Sequence, residues 1–169
     1  MNAPTRGAWL RAGISRDGGP VVETEHVVWL QSGDYYADSR GFAGTTSYED
    51  GQVRFHHDVG APGDDVGVLR AEGEGLIETG TNTDGSTFLE VWTPLPGSDG
   101  QDGSWCAGEA PPARSRSVQA PPVQARSVRS QSVRSQSVRS QSVRVGRHIV
   151  HVDSTGAGAH YVLPGPSGQ

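Results

Sequence analysis

The sequence predicts an all-β fold, and three observations carry that prediction. Short runs rich in Val, Trp, Phe and Thr, about five to eight residues long, recur roughly every ten residues. Turn signals stand between them, among them Asp17-Gly18-Gly19-Pro20, Ser32-Gly33-Asp34, Glu49-Asp50-Gly51 and Asn82-Thr83-Asp84-Gly85. No stretch keeps the apolar period of about 3.6 residues that a helix needs to bury one face. Spacing alone leaves a meander, a sandwich and a barrel open.

Each element has its own local reason. Gly7–Ile14 is apolar enough for a first strand, closed by the turn at Asp17–Pro20. Val21–Gln31 is rich in β-branched residues. Its first half alternates, with Val22, Thr24 and His26 opposite Glu23 and Glu25, whereas its second half, Val27-Val28-Trp29-Leu30, is apolar on both faces. That pattern suits a strand buried on both sides at one end. Tyr35–Arg40 follows as a strand, and Gly41-Phe42-Ala43-Gly44 is expected to bend or bulge. Thr45–Tyr48 is a short strand, and the Asp50-Gly51 hairpin leads into Gln52–Val59. There Val53, Phe55, His57 and Val59 alternate with Arg54, His56 and Asp58, the clearest two-residue period in the chain. Val66–Ala71 and Glu74–Gly80 are weaker strands separated by a short break, and Ala61–Asp65 is a loop. Thr87–Thr93 is a strong strand stopped by Pro94 and Pro96.

Composition changes after Gly97. Overall, 24 Gly and 11 Pro make about a fifth of the 169 residues, against roughly 12% in ordinary usage. Hydrophobic residues are only 33%, below the usual ~45–50%, so one segment dilutes a normal core. Residues 97–142 are the diluting segment: polar and Gly-rich, then Pro-rich, then a tandem repeat, Ser127-Val128-Arg129-Ser130-Gln131, with copies from Ser132 and Ser137 and a broken one at Ser142. A period of five sends successive Val residues to opposite faces of a strand and around a helix, so neither gathers them into one buried patch. The expectation is a disordered low-complexity insertion. Order is expected to return at 143–163, as C-terminal strands that complete the body formed by residues 6–96.

All 14 cationic side chains are Arg. Residues 1–110 carry six of them against eighteen acids, and residues 111–169 carry eight against Asp153 alone. An acidic body with a basic tail can attract an anionic partner, or the tail can simply be solvated. Cys106 is the single cysteine, which excludes an internal disulfide. The first residues hold no apolar run of signal-peptide length, and nothing approaches the ~18 apolar residues of a membrane span. A soluble cytoplasmic protein that does not act on membranes is the expectation.

Trp29-Leu30-Gln31, Tyr36-Ala37-Asp38 with Arg40, Phe42-Ala43-Gly44-Thr45-Thr46, Phe55-His56-His57, Glu90-Val91-Trp92 and the run from Arg144-Val145-Gly146 to Val152 together resemble small bacterial proteins of the calycin, or lipocalin-like, barrel group. Gly7-Ala8-Trp9 looks like the Gly-x-Trp that opens such barrels, whose Trp plugs the closed end. The resemblance implies an antiparallel up-and-down calycin-like barrel, a stacking Arg on Trp9 (Arg147 is the candidate), and a non-enzymatic role in binding a small, partly apolar ligand. Ser39 stands where the resembled pattern has a large apolar residue, and the chain ends soon after Val152. These two departures leave open whether the implied barrel is complete or truncated, the latter with an open edge.

His57, Tyr36, Asp38, Arg40 and Trp92 are the candidate ligand-binding residues. His56 and His57 are adjacent and point to opposite faces of a strand, so they cannot share a metal. His57, on the face of Val53 and Phe55, is an interior imidazole that can meet a ligand or an ordinary polar core group. Tyr36, Asp38 and Arg40 alternate onto one face, either as a recognition strip in a barrel mouth or as an ion pair on a solvated surface. A small-barrel isomerase or hydrolase with His57 as base and Asp38 as orienter is the alternative, provided both reach one pocket. No Walker or Rossmann glycine pattern and no Gly-x-Ser-x-Gly occurs, so neither a cofactor nor a catalytic nucleophile is assigned. The Arg-Ser repeat can meet phosphates but lacks interleaved aromatics, which disfavours nucleic acid as a partner. A decayed scaffold whose Arg-rich segment makes the contacts is a third reading.

Overall fold

Eight of the sequence's alternating runs become consecutive strands, in a computed structural model that describes residues 6–106 and 140–165. They are β1 (Arg6–Arg16), β2 (Val28–Ser32), β3 (Tyr35–Asp38), β4 (Phe42–Glu49), β5 (Gln52–Val59), β6 (Asp64–Glu72), β7 (Gly75–Thr81) and β8 (Thr87–Pro94). Each pairs antiparallel with the next. β8 then returns to β1, from Pro94 opposite Trp9 to Phe88 opposite Arg16, so the sheet closes into an antiparallel barrel. Closure leaves the barrel no open edge. Among the described residues no helix is long and apolar enough to cross a membrane.

The expectation that residues 143–163 complete the barrel is corrected, because residues 6–94 close it alone. The remaining strands, β9 (Asp102–Cys106), β10 (Ser140–Val145), β11 (His148–Asp153) and β12 (Gly158–Val162), form a second sheet in the order β12-β11-β10-β9. The bounds of the insertion change with it: β9 and the first residues of β10 are ordered strands inside the segment 97–142 read as disordered. Residues 107–139, with most of the repeat, lie outside the described residues.

The second sheet explains why β2 is apolar on both faces. Trp29 and Val27 point into the barrel with Tyr36, Val53, Phe55, Leu69, Leu76 and Trp92. Val28 and Leu30 point outward with Ala37, Ala43 and Val59, and meet Val143, Val145, Val150 and Val152 of the second sheet. Full burial of each such Val or Leu contributes about 1.5–3 kcal/mol. Polar contacts fix the docking. The Gln141 amide donates to the carbonyls of Tyr36 (2.7 Å) and Gly44 (2.8 Å). His26, His160 and His148 form a hydrogen-bonded chain (3.1 and 3.0 Å) whose last ring meets the Pro96 carbonyl at 2.6 Å. Because that carbonyl only accepts, His148 donates to it through Nε2, and in the neutral chain His160 and His26 each donate through Nε2 to the next ring. Gly41, at φ +110°, sits where a Cβ would collide with the Gly156 carbonyl of the β11–β12 turn.

Two bulges decide which residues face inward. In β1 the register shifts between Arg11 and Gly13, so Trp9 and Arg11 on one side and Ile14 and Arg16 on the other all reach the interior. Opposite Ala43 and Gly44, β5 carries an extra residue, Asp58. The clean alternation read over Gln52–Val59 therefore breaks at its end: His57 stays inside, but Val59 turns outward against the second sheet.

Candidate functional site

Inside the barrel the two-residue period collects aromatic and ionisable side chains. Trp29, Phe55 and Trp92 pack edge to face, with centroids 5.4 Å (Trp29–Phe55) and 5.6 Å (Trp29–Trp92) apart, and Tyr36 meets Phe55 at 5.0 Å. Trp9 lies 6.2 Å from Trp29 and folds back over its own strand, where a Cβ on Gly7 would strike the indole. That is the physical reason for Gly-x-Trp here. The expected stack of Arg147 on Trp9 does not form; Arg147 donates instead to the Leu163 carbonyl.

A cavity of about 100 Å³ remains beside this cluster, lined by Trp29, Tyr36, Phe42, Phe55 and Trp92 together with Asp38, Arg40, Asp65, Glu78 and Glu90. Exposed Arg16 and Asn82 also line it and mark its mouth.

The ionisable groups form a chain of alternating charge. Glu23 accepts two bonds from Arg11, at 2.7 and 3.0 Å. Arg11 Nη1 donates to Glu90 Oε1 at 2.9 Å, and Arg40 Nη1 donates to the same oxygen at 2.8 Å. Arg40 then grips Asp38 bidentately, at 3.0 and 2.8 Å. Asp38 and Glu90 are each only 3% exposed, while the Arg40 side chain that joins them stays partly exposed, so the acids are buried and the guanidinium caps them from the rim. β3 ends at Asp38, so Arg40 reaches the interior from the following turn, where Asp38 Oδ1 also accepts its backbone N–H. Burial opposes the Arg40 charge, but Asp38 and Glu90 outweigh it and hold the guanidinium above its usual pKa. The Arg11 bond holds Glu23 down at about 2, against the opposing effect of burial.

Glu78 stands apart from that chain. It is opposite Glu90 on the β7–β8 ladder, and Trp92 Nε1 donates to its Oε2 at 3.2 Å. Burial, and after it the Glu90 charge, pushes its pKa up to about 8. At neutral pH it is a neutral carboxylic acid. The Tyr36 hydroxyl is fully buried with no hydrogen-bond partner. Burial, then the nearby carboxylates, raises its pKa, so it stays a neutral phenol.

Tyr36, Asp38, Arg40 and Trp92 thus share one cavity wall. His57 stands just behind it, stacked on Phe42 at 4.8 Å. Its Nδ1 meets the Ala61 carbonyl at 2.9 Å. Its Nε2 is 3.1 Å from Asp65 Oδ2, within ion-pair range but not aligned for a hydrogen bond. Asp65 raises the His57 pKa, and burial opposes it. The carboxylate neighbour of His57 is Asp65, not the expected orienter Asp38, which is held by Arg40. His56 points away from the interior, to Ser47 (2.8 Å) and Asp64 (3.3 Å).

Sequence reasoning missed Arg11, Glu78 and Glu90. A signal existed for two of them, a charge on the same alternation as interior aromatics: Arg11 with Trp9, and Glu90 between Phe88 and Trp92. Among the described residues no group of three His, Cys, Asp or Glu side chains is placed to hold a metal ion. Comparison of the chain with protein-family models, with curated proteins and with solved structures finds no match.

Proposed function

We propose that the chain is a calycin-like barrel whose interior binds a small, partly apolar ligand. The closed eight-stranded antiparallel barrel is compatible with that fold. The observation that carries the reading is the Tyr36 hydroxyl, buried in a cavity wall without a partner. A buried polar group left unpaired costs about 1–3 kcal/mol, which a ligand at the cavity would recover. An aromatic wall with a few convergent polar groups is the usual makeup of a small-molecule site.

Native mass spectrometry of the purified protein tests for a retained small molecule, and tryptophan emission reports occupancy because Trp29 and Trp92 line the cavity. The absence of a retained mass, with no emission change across neutral, cationic and anionic apolar compounds, would remove the proposal. The enzymatic alternative with His57 as base and Asp38 as orienter has less support. Asp38 is occupied by Arg40, and His57 lies behind Phe42. The reading in which the Arg-rich segment makes the contacts falls mostly on residues outside those described.

A further inference from the structure

We propose that the cavity ligand is a small organic cation, a protonated amine on a short apolar group, held by the Glu78 carboxylate, the Tyr36 hydroxyl and the surrounding aromatic faces. This rests on the reading of the barrel as a binding protein and adds the chemical class.

Charge is the first argument. In the chain Glu23–Arg11–Glu90–Arg40–Asp38, three carboxylates share two guanidinium groups. Glu78 is a further carboxyl at the same cavity, facing Glu90 across the ladder and packed over Gly67 of β6. Its direct bond is from the neutral Trp92 indole, and Asp38 and Glu90 outweigh Arg40 among the charges around it. Asp65 adds another acid to the wall, set against His57. An anionic ligand would bring more negative charge into this surplus. An ammonium ion supplies the cation that Glu78 lacks.

The aromatic wall is the second argument. Ring faces attract cations through their quadrupoles. Two of them already do so here, since the Arg40 guanidinium lies 5.0 Å from the centroid of Phe42 and 5.9 Å from that of Trp92. Tyr36 adds an acceptor, because its unpartnered, fully buried oxygen can take an ammonium N–H. A cavity of about 100 Å³ limits the ligand to a few heavy atoms beyond the nitrogen.

Proton balance gives the proposal its signature. Unliganded Glu78 carries a proton at neutral pH. An entering R–NH3⁺ pairs with the Glu78 carboxylate, and the carboxyl proton leaves to solvent, so close to one proton is released per ligand at pH 7.

The test is titration calorimetry of the full chain with 1-butylamine, 1-butanol and butyrate at pH 7, in two buffers of different ionisation enthalpy. Butylamine should bind at least tenfold more tightly than butanol, butyrate should not bind, and the buffer difference should report close to one proton released. Glu78→Gln should weaken butylamine at least tenfold and abolish the proton release, with an unchanged circular dichroism spectrum. Tyr36→Phe should weaken it severalfold while the proton release persists. Butanol or butyrate binding as tightly as butylamine would overturn the cationic class and leave the binding barrel standing. Butylamine binding without proton release, or undiminished in Glu78→Gln, would overturn the assigned site. If none of the three binds, this proposal falls, and the binding reading is then decided by the retained mass and the tryptophan emission.

Discussion

Replacing Glu78 by Gln should make the unliganded protein more stable, by an amount that depends on pH. In the unfolded chain the carboxyl ionises at its ordinary value of 4.5, whereas in the barrel it keeps its proton up to about 8. The folded state is therefore the more protonated one between these values, and its stability declines as pH rises through that window. The loss is close to zero at pH 4, about 3 kcal/mol at pH 7 and about 5 kcal/mol above pH 9. Gln has nearly the same shape, accepts the Trp92 N–H through its amide oxygen and never ionises. Glu78→Gln should recover those amounts, with an unchanged dependence on denaturant because the surface exposed on unfolding is the same. Urea unfolding of both proteins at pH 4, 7 and 9 measures the difference; at pH 7 the melting temperature should rise by roughly 10 °C. Equal stability at pH 7, or parallel pH profiles, would mean that Glu78 is not the desolvated acid described here. A gain on removing the carboxyl is the behaviour of a residue kept for a purpose other than stability.

The other interior and interface contacts carry their own expectations. Arg40→Met leaves Asp38 buried without its partner and should destabilise the fold by about 3–5 kcal/mol in urea unfolding; a loss under about 1 kcal/mol would contradict the buried network. Burial, followed by the charges of His148 and His26, holds His160 down at about 4, from an ordinary 6.5. The unfolded chain takes up this proton first as pH falls, so stability is lost between about pH 6.5 and 4, by about 1–2 kcal/mol after screening. Unfolding in the Glu78→Gln background, which removes the opposite slope of that carboxyl, shows this loss, and His160→Gln should abolish it. Gly7→Ala forces the Trp9 indole aside and should cost about 1–3 kcal/mol, with a shift in tryptophan emission. An unshifted spectrum at wild-type stability would mean that the indole does not lie over Gly7.

Much of the fold was legible because strand alternation is local. Val53, Phe55 and His57 belong on one face whatever surrounds them, and the Asp50-Gly51 turn sets their hairpin. The apolar second half of the Val21–Gln31 run was legible as a strand buried on both faces, but not what buried it. The strand β10 of the covering sheet begins in the last copies of the repeat, Ser140-Gln141-Ser142-Val143. Val143, in the broken copy, packs with Val145 two residues later and with Val150 and Val152 on β11. Gln141, one polar letter among identical copies, becomes a docking bond only because two barrel carbonyls stand opposite it.

The candidate site divides along the same line. Tyr36 and Asp38 could be placed on one face from alternation, and the Asp38–Arg40 pair from proximity along the chain, but not their meeting with Trp92. The sequence by itself determined the strands, the interior aromatics and the acidic surplus of the body, since these depend on residue type and on neighbours one or two positions away. The tertiary structure decided the rest. The β7–β8 register set Glu78 against Glu90, and barrel closure brought Arg11 and Arg40, 29 positions apart, onto one carboxylate oxygen. Two bulges chose which side chains turn inward. Ionisation followed from that placement, because a carboxyl's proton affinity depends on the water it loses and the charges it faces. Those are properties of the closed barrel and not of the strand that carries the residue.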